Sequence, residues 1–143
     1  SPKAEYTEEN SVTYGEQMSD ISGSAQYDAA TANWGGSWRM PTKEEMQELV
    51  DNCTWEWTQV NGVNGSKVIG PNGSCIFLPA AGYRGEASLG SDGYIGDYWG
   101  STPNHYDSSH DYDAYLLYFY DGDEGVFWDC NRSFGQTVRP ITE

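Results

Sequence analysis

The residues best suited to chemistry gather near the C-terminus, where His105 and His110 sit five apart among Asp107, Asp111 and Asp113. Imidazole and carboxylate together suit a transition-metal ion, but a loop spacing of this kind fixes little geometry. Asp121, Asp123 and Glu124 could hold a cation in their turn, and a solvated acidic turn is the simpler reading of them. No Gly-x-Ser-x-Gly elbow, His-Glu-x-x-His pair or phosphate loop is present. Paired carboxylates for glycoside hydrolysis stay open, because their separation is a spatial quantity. Cys53, Cys75 and Cys130 make an odd count, so at least one thiol is free or pairs between chains. A Cys53–Cys75 bridge is compatible with the strands expected between them, although sequence sets no Cα separation. No Cys-x-x-Cys pair points to structural zinc.

What dominates the same stretch is recognition chemistry. From Gly96 to Phe134 it is dense in Tyr, Trp, Asp, Asn, Ser and His. These types combine rigid contact area with adaptable hydrogen bonding at low entropic cost. The expected contact residues are Asn104, His105, Tyr106, His110, Asp111, Tyr112, Tyr118, Tyr120, Phe127, Asp129, Asn131 and Phe134. The expectation is a surface that binds without converting, and no catalytic residue is assigned.

Composition narrows the partner. Twenty-two acidic against seven basic residues give a net charge of -15, which argues against nucleic acid and anionic membrane. Mean hydropathy is -0.70. Six Trp, eleven Tyr and four Phe nonetheless exclude a disordered acidic tail. No apolar run approaches the roughly 18 residues that a membrane-spanning helix needs, so direct membrane insertion is not expected. At 143 residues the chain reads as one domain, 1–143. Because it starts at Ser1 without Met or a signal peptide, it reads as a mature or trimmed piece.

The elements that must position these residues follow from pattern. Residues 1–20 are polar and Glu-rich, an irregular lead-in. Tyr27, Ala30 and Trp34 recur at helical spacing, predicting a short helix over about Ala25 to Asn33 that Gly35-Gly36 ends. Thr42-Lys43-Glu44-Glu45 is a capping box, and Met46, Leu49 and Val50 form the apolar stripe of a second helix ending near Asn52. Strands follow. Trp55 and Trp57 alternate with polar residues, and Val68-Ile69 and Ile76-Phe77-Leu78 are short apolar runs. Asn61-Gly62, Asn64-Gly65 and Asn72-Gly73 supply turn chemistry. Residues 85–96 read as loop, and 114–120, 126–130 and 136–141 as three more strands, with Asp121–Gly125 as a loop. Alternation turns Tyr115, Leu117 and Phe119 inward and Tyr118 and Tyr120 outward. Trp34, Trp38, Trp55 and Trp99 are expected in the core. Two early helices and many short strands make the fold class α+β.

Several segments together resemble a C-type-lectin-like domain, and more narrowly the Fibrobacter succinogenes major paralogous domain of Bacteroidetes surface and secreted proteins. They are Trp34–Glu45, Asn52-Cys53-Thr54-Trp55, Asn61–Gly65, Gly70–Gly73, Ile76–Tyr83, Tyr98–Thr102 and Ser133–Ile141, spread over residues 25–141. The resemblance implies two helices and a small twisted antiparallel sheet with long loops. Its N- and C-terminal strands pair, and an irregular region carries the binding face. It implies a bacterial cell-surface, extracellular or phage-borne setting and a protein or glycan ligand on another cell or surface. Variable proteins of diversity-generating retroelements share this fold, and adenine-directed mutagenesis would yield the residue types crowding 98–134. Calcium-dependent lectins of the family are the alternative. Thr102-Pro103-Asn104 lacks the first oxygen ligand of their Pro-containing motif, and Trp128-Asp129-Cys130-Asn131 disturbs the order of their Trp-Asn-Asp motif. A scaffold role within a larger surface protein is a further alternative. The formylglycine-generating enzymes of this fold need cysteines acting together with a metal, and here the three cysteines lie far apart.

Overall fold

A computed structural model describes residues 6–105 and 111–143. A 3₁₀ turn, Glu8–Asn10, precedes two helices, α1 (Ala29–Trp34) and α2 (Lys43–Asn52). Nine strands follow among the described residues: β1 (Thr54–Val60), β2 (Val63–Ile69), β3 (Cys75–Pro79), β4 (Tyr83–Gly85), β5 (Ser88–Gly90), β6 (Gly96–Pro103), β7 (Asp113–Tyr120), β8 (Asp123–Asn131) and β9 (Gly135–Gln136). They form three three-stranded antiparallel sheets, ordered β1-β2-β3, β5-β4-β9 and β6-β7-β8. The class is α+β, with three small sheets in place of the one expected. Among the described residues no helix is long and apolar enough to cross a membrane.

Helix α2 forms where its local signals put it. Thr42 Oγ1 accepts the Glu45 N–H at 3.3 Å and Glu45 Oε2 accepts the Thr42 N–H at 2.9 Å, closing the capping box. Arg39 grips the same carboxylate with both terminal nitrogens, at 2.8 and 2.6 Å. The Arg39 guanidinium is the main cause that holds the Glu45 carboxyl down at about 2, from an ordinary 4.5. Because the folded value is depressed, the pair stabilises fully above pH 4.5 and loses its effect as pH falls toward 2. Allowing for partial exposure, it is worth about 1 to 2 kcal/mol at neutral pH. Glu45→Gln is therefore expected to lower the melting temperature by about 3 to 6 °C at pH 7. The gap should narrow steadily below pH 4.5 in paired melts. A gap independent of pH would assign the loss to packing.

Helix α1 is shorter than the spacing predicts. Asp28 caps it, and residues 25–27 form a turn. Only Ala30 of the proposed stripe is buried, while Tyr27 is 37 %, Trp34 57 % and Trp38 41 % exposed, so those tryptophans are not core. Trp55 and Trp99 are half-buried.

The core lies where β2 and β3 meet β6 and β7 beneath α2. Met46, Val68, Leu78, Ala80, Tyr98, Leu117 and Phe119 are its buried members. Phe119 is wholly buried, with Trp55 and Tyr98 against it at ring-centroid distances of 5.6 and 5.8 Å. The Tyr98 hydroxyl donates to the Pro79 carbonyl at 2.8 Å, and burial pushes it up to about 12.

Two turn assignments divide. Asn61-Gly62 makes the β1–β2 hairpin with both φ values positive, 50° and 81°. Asn64-Gly65 instead lies inside β2, where the Phe77 ring and Leu78 carbonyl leave no room for a Cβ on Gly65. The Cys53–Cys75 bridge does not form. Central strand β2 separates the outer strands that carry or adjoin these cysteines, which sets them about 10 Å apart, beyond disulfide reach. Residues 85–96 hold strand β5, and the expected strand 136–141 pairs only through Gly135-Gln136 and single bridges. Those bridges join Tyr98 to Thr137 and Arg39 to Ile141, while Tyr6 pairs with Glu86.

Candidate functional site

Strands β7 and β8 carry most of the expected contact residues, and their pairing decides which way each faces. β8 is an edge strand. Its register with β7 runs regularly from Tyr120↔Asp123 to Leu116↔Phe127, then resumes at Ala114↔Cys130. Trp128 and Asp129 thus oppose Tyr115 alone, which is a β-bulge. A bulge interrupts the alternation of side chains. Phe127, Trp128 and Asp129 are consequently all exposed, and the Phe127 and Trp128 rings lie 6.3 Å apart.

On the outward face Tyr118 and Tyr120 stack at 6.2 Å. Tyr118 covers Gly125 of β8, whose missing Cβ makes room for its ring. Burial and then Asp123 raise the Tyr118 hydroxyl, and the 2.9 Å hydrogen bond to Asp123 does the same for Tyr120. Phe127 opposes Leu116, one diagonal step from Tyr118. Tyr118, Tyr120 and Phe127 therefore make one aromatic row along the β7–β8 ribbon, and the Trp128 ring, 6.3 Å from Phe127, extends it at the bulge. Leu116, which alternation sets on the same face as Tyr118 and Tyr120, is buried between its cross-strand neighbours Trp99 and Phe127.

Asn104 does not belong to that exposed row. It is 2 % exposed, its N–H donates to the Asp113 carbonyl at 3.0 Å, and its Nδ2 donates to the Trp128 carbonyl at 3.0 Å. Its place is behind the bulge, holding it. This corrects the assignment of Asn104 as a contact residue: a buried amide cannot meet a macromolecule.

A second group of expected contacts is covered by the lead-in, which is ordered against the sheet. Tyr112 stacks on Tyr14 at 5.2 Å. Asn131 Nδ2 donates to the Tyr14 hydroxyl at 3.5 Å, and its Oδ1 accepts the Ser133 N–H at 2.8 Å. His105 Nε2 meets the Met18 carbonyl, and its Nδ1 lies 3.6 Å from Asp111 Oδ1. Arg132 ties the group together, with Nη2 donating to the Glu16 carbonyl at 2.8 Å and to the Asp111 carbonyl. Residues 13–18 thus lie against the part of the expected face that holds His105, Tyr112 and Asn131. A cavity of about 410 Å³ lies beneath the lead-in, walled by Val12, Met18, Ile21, Trp99, Arg132 and Phe134.

Phe134 stacks on Tyr83 at 5.9 Å and remains 38 % exposed. Tyr106 and His110 lie outside the described residues, so the His105–His110 pairing is not placed. Among the described residues no group of three or more His, Cys, Asp or Glu could hold a metal. Thr102 Oγ1 donates to Asp20 at 2.6 Å and accepts the Lys43 N–H at 3.0 Å. Thr102 and Asn104 thus serve the framework. Cys130 is a half-buried thiol that burial pushes up to about 12, with Gln136 Nε2 2.9 Å from its sulfur.

The residue that pattern reading leaves off the contact list is Trp128. Strict alternation would set it opposite Phe127, and the bulge that overrides alternation has no local signature. The chain matches no family model, no curated protein and no solved structure.

Proposed function

We propose that the chain is a ligand-binding domain of receptor or adhesin type that recognises a protein or glycan on another cell or surface. It acts through affinity alone. The observation that carries this is the aromatic row on β7 and β8: three of its members, Tyr120, Phe127 and Trp128, are more than 40 % exposed on a ribbon braced from behind by Asn104. Rigid aromatics on paired strands pay little entropy on binding, and contiguous exposed apolar surface marks an interaction site. The contact set is Tyr118, Tyr120, Phe127, Trp128, Asp129 and Phe134, smaller than composition suggests.

The resemblance in residues 25–141 supports a C-type-lectin-like fold and a bacterial cell-surface, extracellular or phage-borne setting. It also supports a retroelement-diversified origin for the 98–134 stretch. Capping-box helix α2, the Gly35-Gly36 step before it and the Arg39–Ile141 bridge are the parts of the structure compatible with that reading.

Labelled domain bound to intact bacterial cells, read by flow cytometry, tests the proposal. Phe127→Ser with Trp128→Ser should weaken binding by about tenfold to a hundredfold. The melting temperature should fall by no more than about 5 °C, because each side chain is only partly buried, although Phe127 also covers Leu116. Binding equal to wild type in this double variant overturns the proposal. Loss of binding in EDTA would transfer the function to a calcium lectin.

A further inference from the structure

The aromatic row lies in a stretch with no cation of its own. Between Arg84 and Arg132 the sequence contains no Lys or Arg, and ten Asp and Glu. Four of those acids border the row. Asp97 opposes Tyr118 from β6, Asp123 opposes Tyr120, Asp121 sits in the β7–β8 turn, and Asp129 is exposed at the bulge. Asp123 also accepts the Tyr120 hydroxyl at 2.9 Å, which fixes a carboxylate at the edge of the stacked Tyr118–Tyr120 pair. Lys43 Nζ lies 4.8 Å from the ring centroid of Tyr115, which alternation turns away from Tyr118 and Tyr120.

Ring faces carry partial negative charge and attract cations, most strongly where carboxylates add to the field. An interface rich in aromatic faces and carboxylates is complementary to a cationic ligand. We infer that the ligand of this face is a cationic protein segment, rich in arginine, laid along the β7–β8 ribbon. Arginine suits it better than lysine: its planar guanidinium stacks on Tyr118, Tyr120 and Trp128 and pairs with Asp121, Asp123 and Asp129 through its forked donors. The inference rests on the proposed function and narrows its partner.

Fluorescently labelled octa-arginine and octa-lysine peptides, titrated by anisotropy against the full chain, test it. The domain should bind octa-arginine several-fold more tightly than octa-lysine, and added salt should weaken both. Two triple variants that each remove three charges separate site from bulk field. Asp121→Asn with Asp123→Asn and Asp129→Asn should cost about tenfold in octa-arginine affinity. Glu9→Gln with Glu48→Gln and Glu56→Gln, all exposed and carried by segments other than β7 and β8, should cost less than about twofold. Tyr120→Ser with Trp128→Ser leaves the charge unchanged and should also cost about tenfold.

Equal losses in the two charge variants, or no loss in the aromatic variant, overturn the inference. So does tight binding of an uncharged glycan at the same face. If octa-arginine fails while the Phe127/Trp128 double variant still abolishes cell binding, the ligand is not cationic and the broader proposal stands. If both fail, the ribbon is not the binding face.

Discussion

Replacing Asp28 with Asn is expected to lower the unfolding free energy by about 3 to 5 kcal/mol, nearly as much as Asp28→Ala. The usual expectation for so close an isostere is a mild effect. Here each carboxylate oxygen accepts two backbone N–H groups. Oδ1 takes those of Ala30 and Thr31 at 2.8 and 3.1 Å, and Oδ2 takes those of Gly23 and Met40, both at 2.8 Å. An amide keeps one acceptor oxygen, so its NH₂ must point at two N–H donors. Two buried donors then lose their partner and the new donor gains none. Burial alone would raise the carboxyl, but the four N–H groups outweigh it and hold it below its ordinary 3.8. The depressed value means the stabilisation is complete above pH 3.8 and is lost as pH falls through the folded value. Asp28 joins the turn after the lead-in, the start of α1 and the approach to α2, so its loss frees three segments together. Urea unfolding at pH 7 should show a large drop in midpoint at unchanged slope. An Asn variant within about 1 kcal/mol of wild type would refute this account.

The Asp28 network also shows what the sequence makes legible. Thr42 and Glu45 lie three residues apart, so their capping box is visible in a short window and α2 starts where expected. Asp28 caps α1 as firmly, but its partners at Gly23 and Met40 make the site non-local, and the helix start read from apolar spacing falls four residues early. Leu117 and Phe119 are legible as core because alternation needs only their own strand. Leu116 is not, because Trp99 and Phe127 beside it come from two other strands. Strand β6 escapes notice because Gly96, Gly100, Ser101 and Pro103 dilute its pattern, and it is irregular between Trp99 and Pro103. The face containing Tyr120 and Phe127 is thus foreseeable from residue types. The lead-in over Tyr112 and Asn131 is not, since nothing in residues 13–18 reveals what they will lie against.

Asn104→Ala is expected to reduce ligand binding by about tenfold or more, although Asn104 touches no ligand. The reason is the bulge. Two residues of β8 face one of β7, which leaves one of them outside the ladder and open to support from elsewhere. Asn104 Nδ2 supplies that support at the Trp128 carbonyl, while the Asn104 N–H fixes the loop to Asp113. Without the amide the Trp128 peptide loses this donor, and the ribbon can relax toward regular alternation. Regular alternation would carry Trp128 to the opposite face from Phe127 and divide the aromatic row. Stability should fall by about 1 to 3 kcal/mol, the ordinary cost of a lost buried hydrogen bond with a small cavity. Asn104→Asp separates the electrostatic from the steric cause. It keeps the volume but turns an oxygen toward the Trp128 carbonyl and buries a charge beside Asp113, so it should destabilise more than Ala. Binding to cells and to octa-arginine, measured beside near-ultraviolet circular dichroism of the tryptophans, distinguishes positioning from folding. Asn104→Ala that melts lower but binds as wild type would remove the bulge from the recognition mechanism and leave it a structural irregularity.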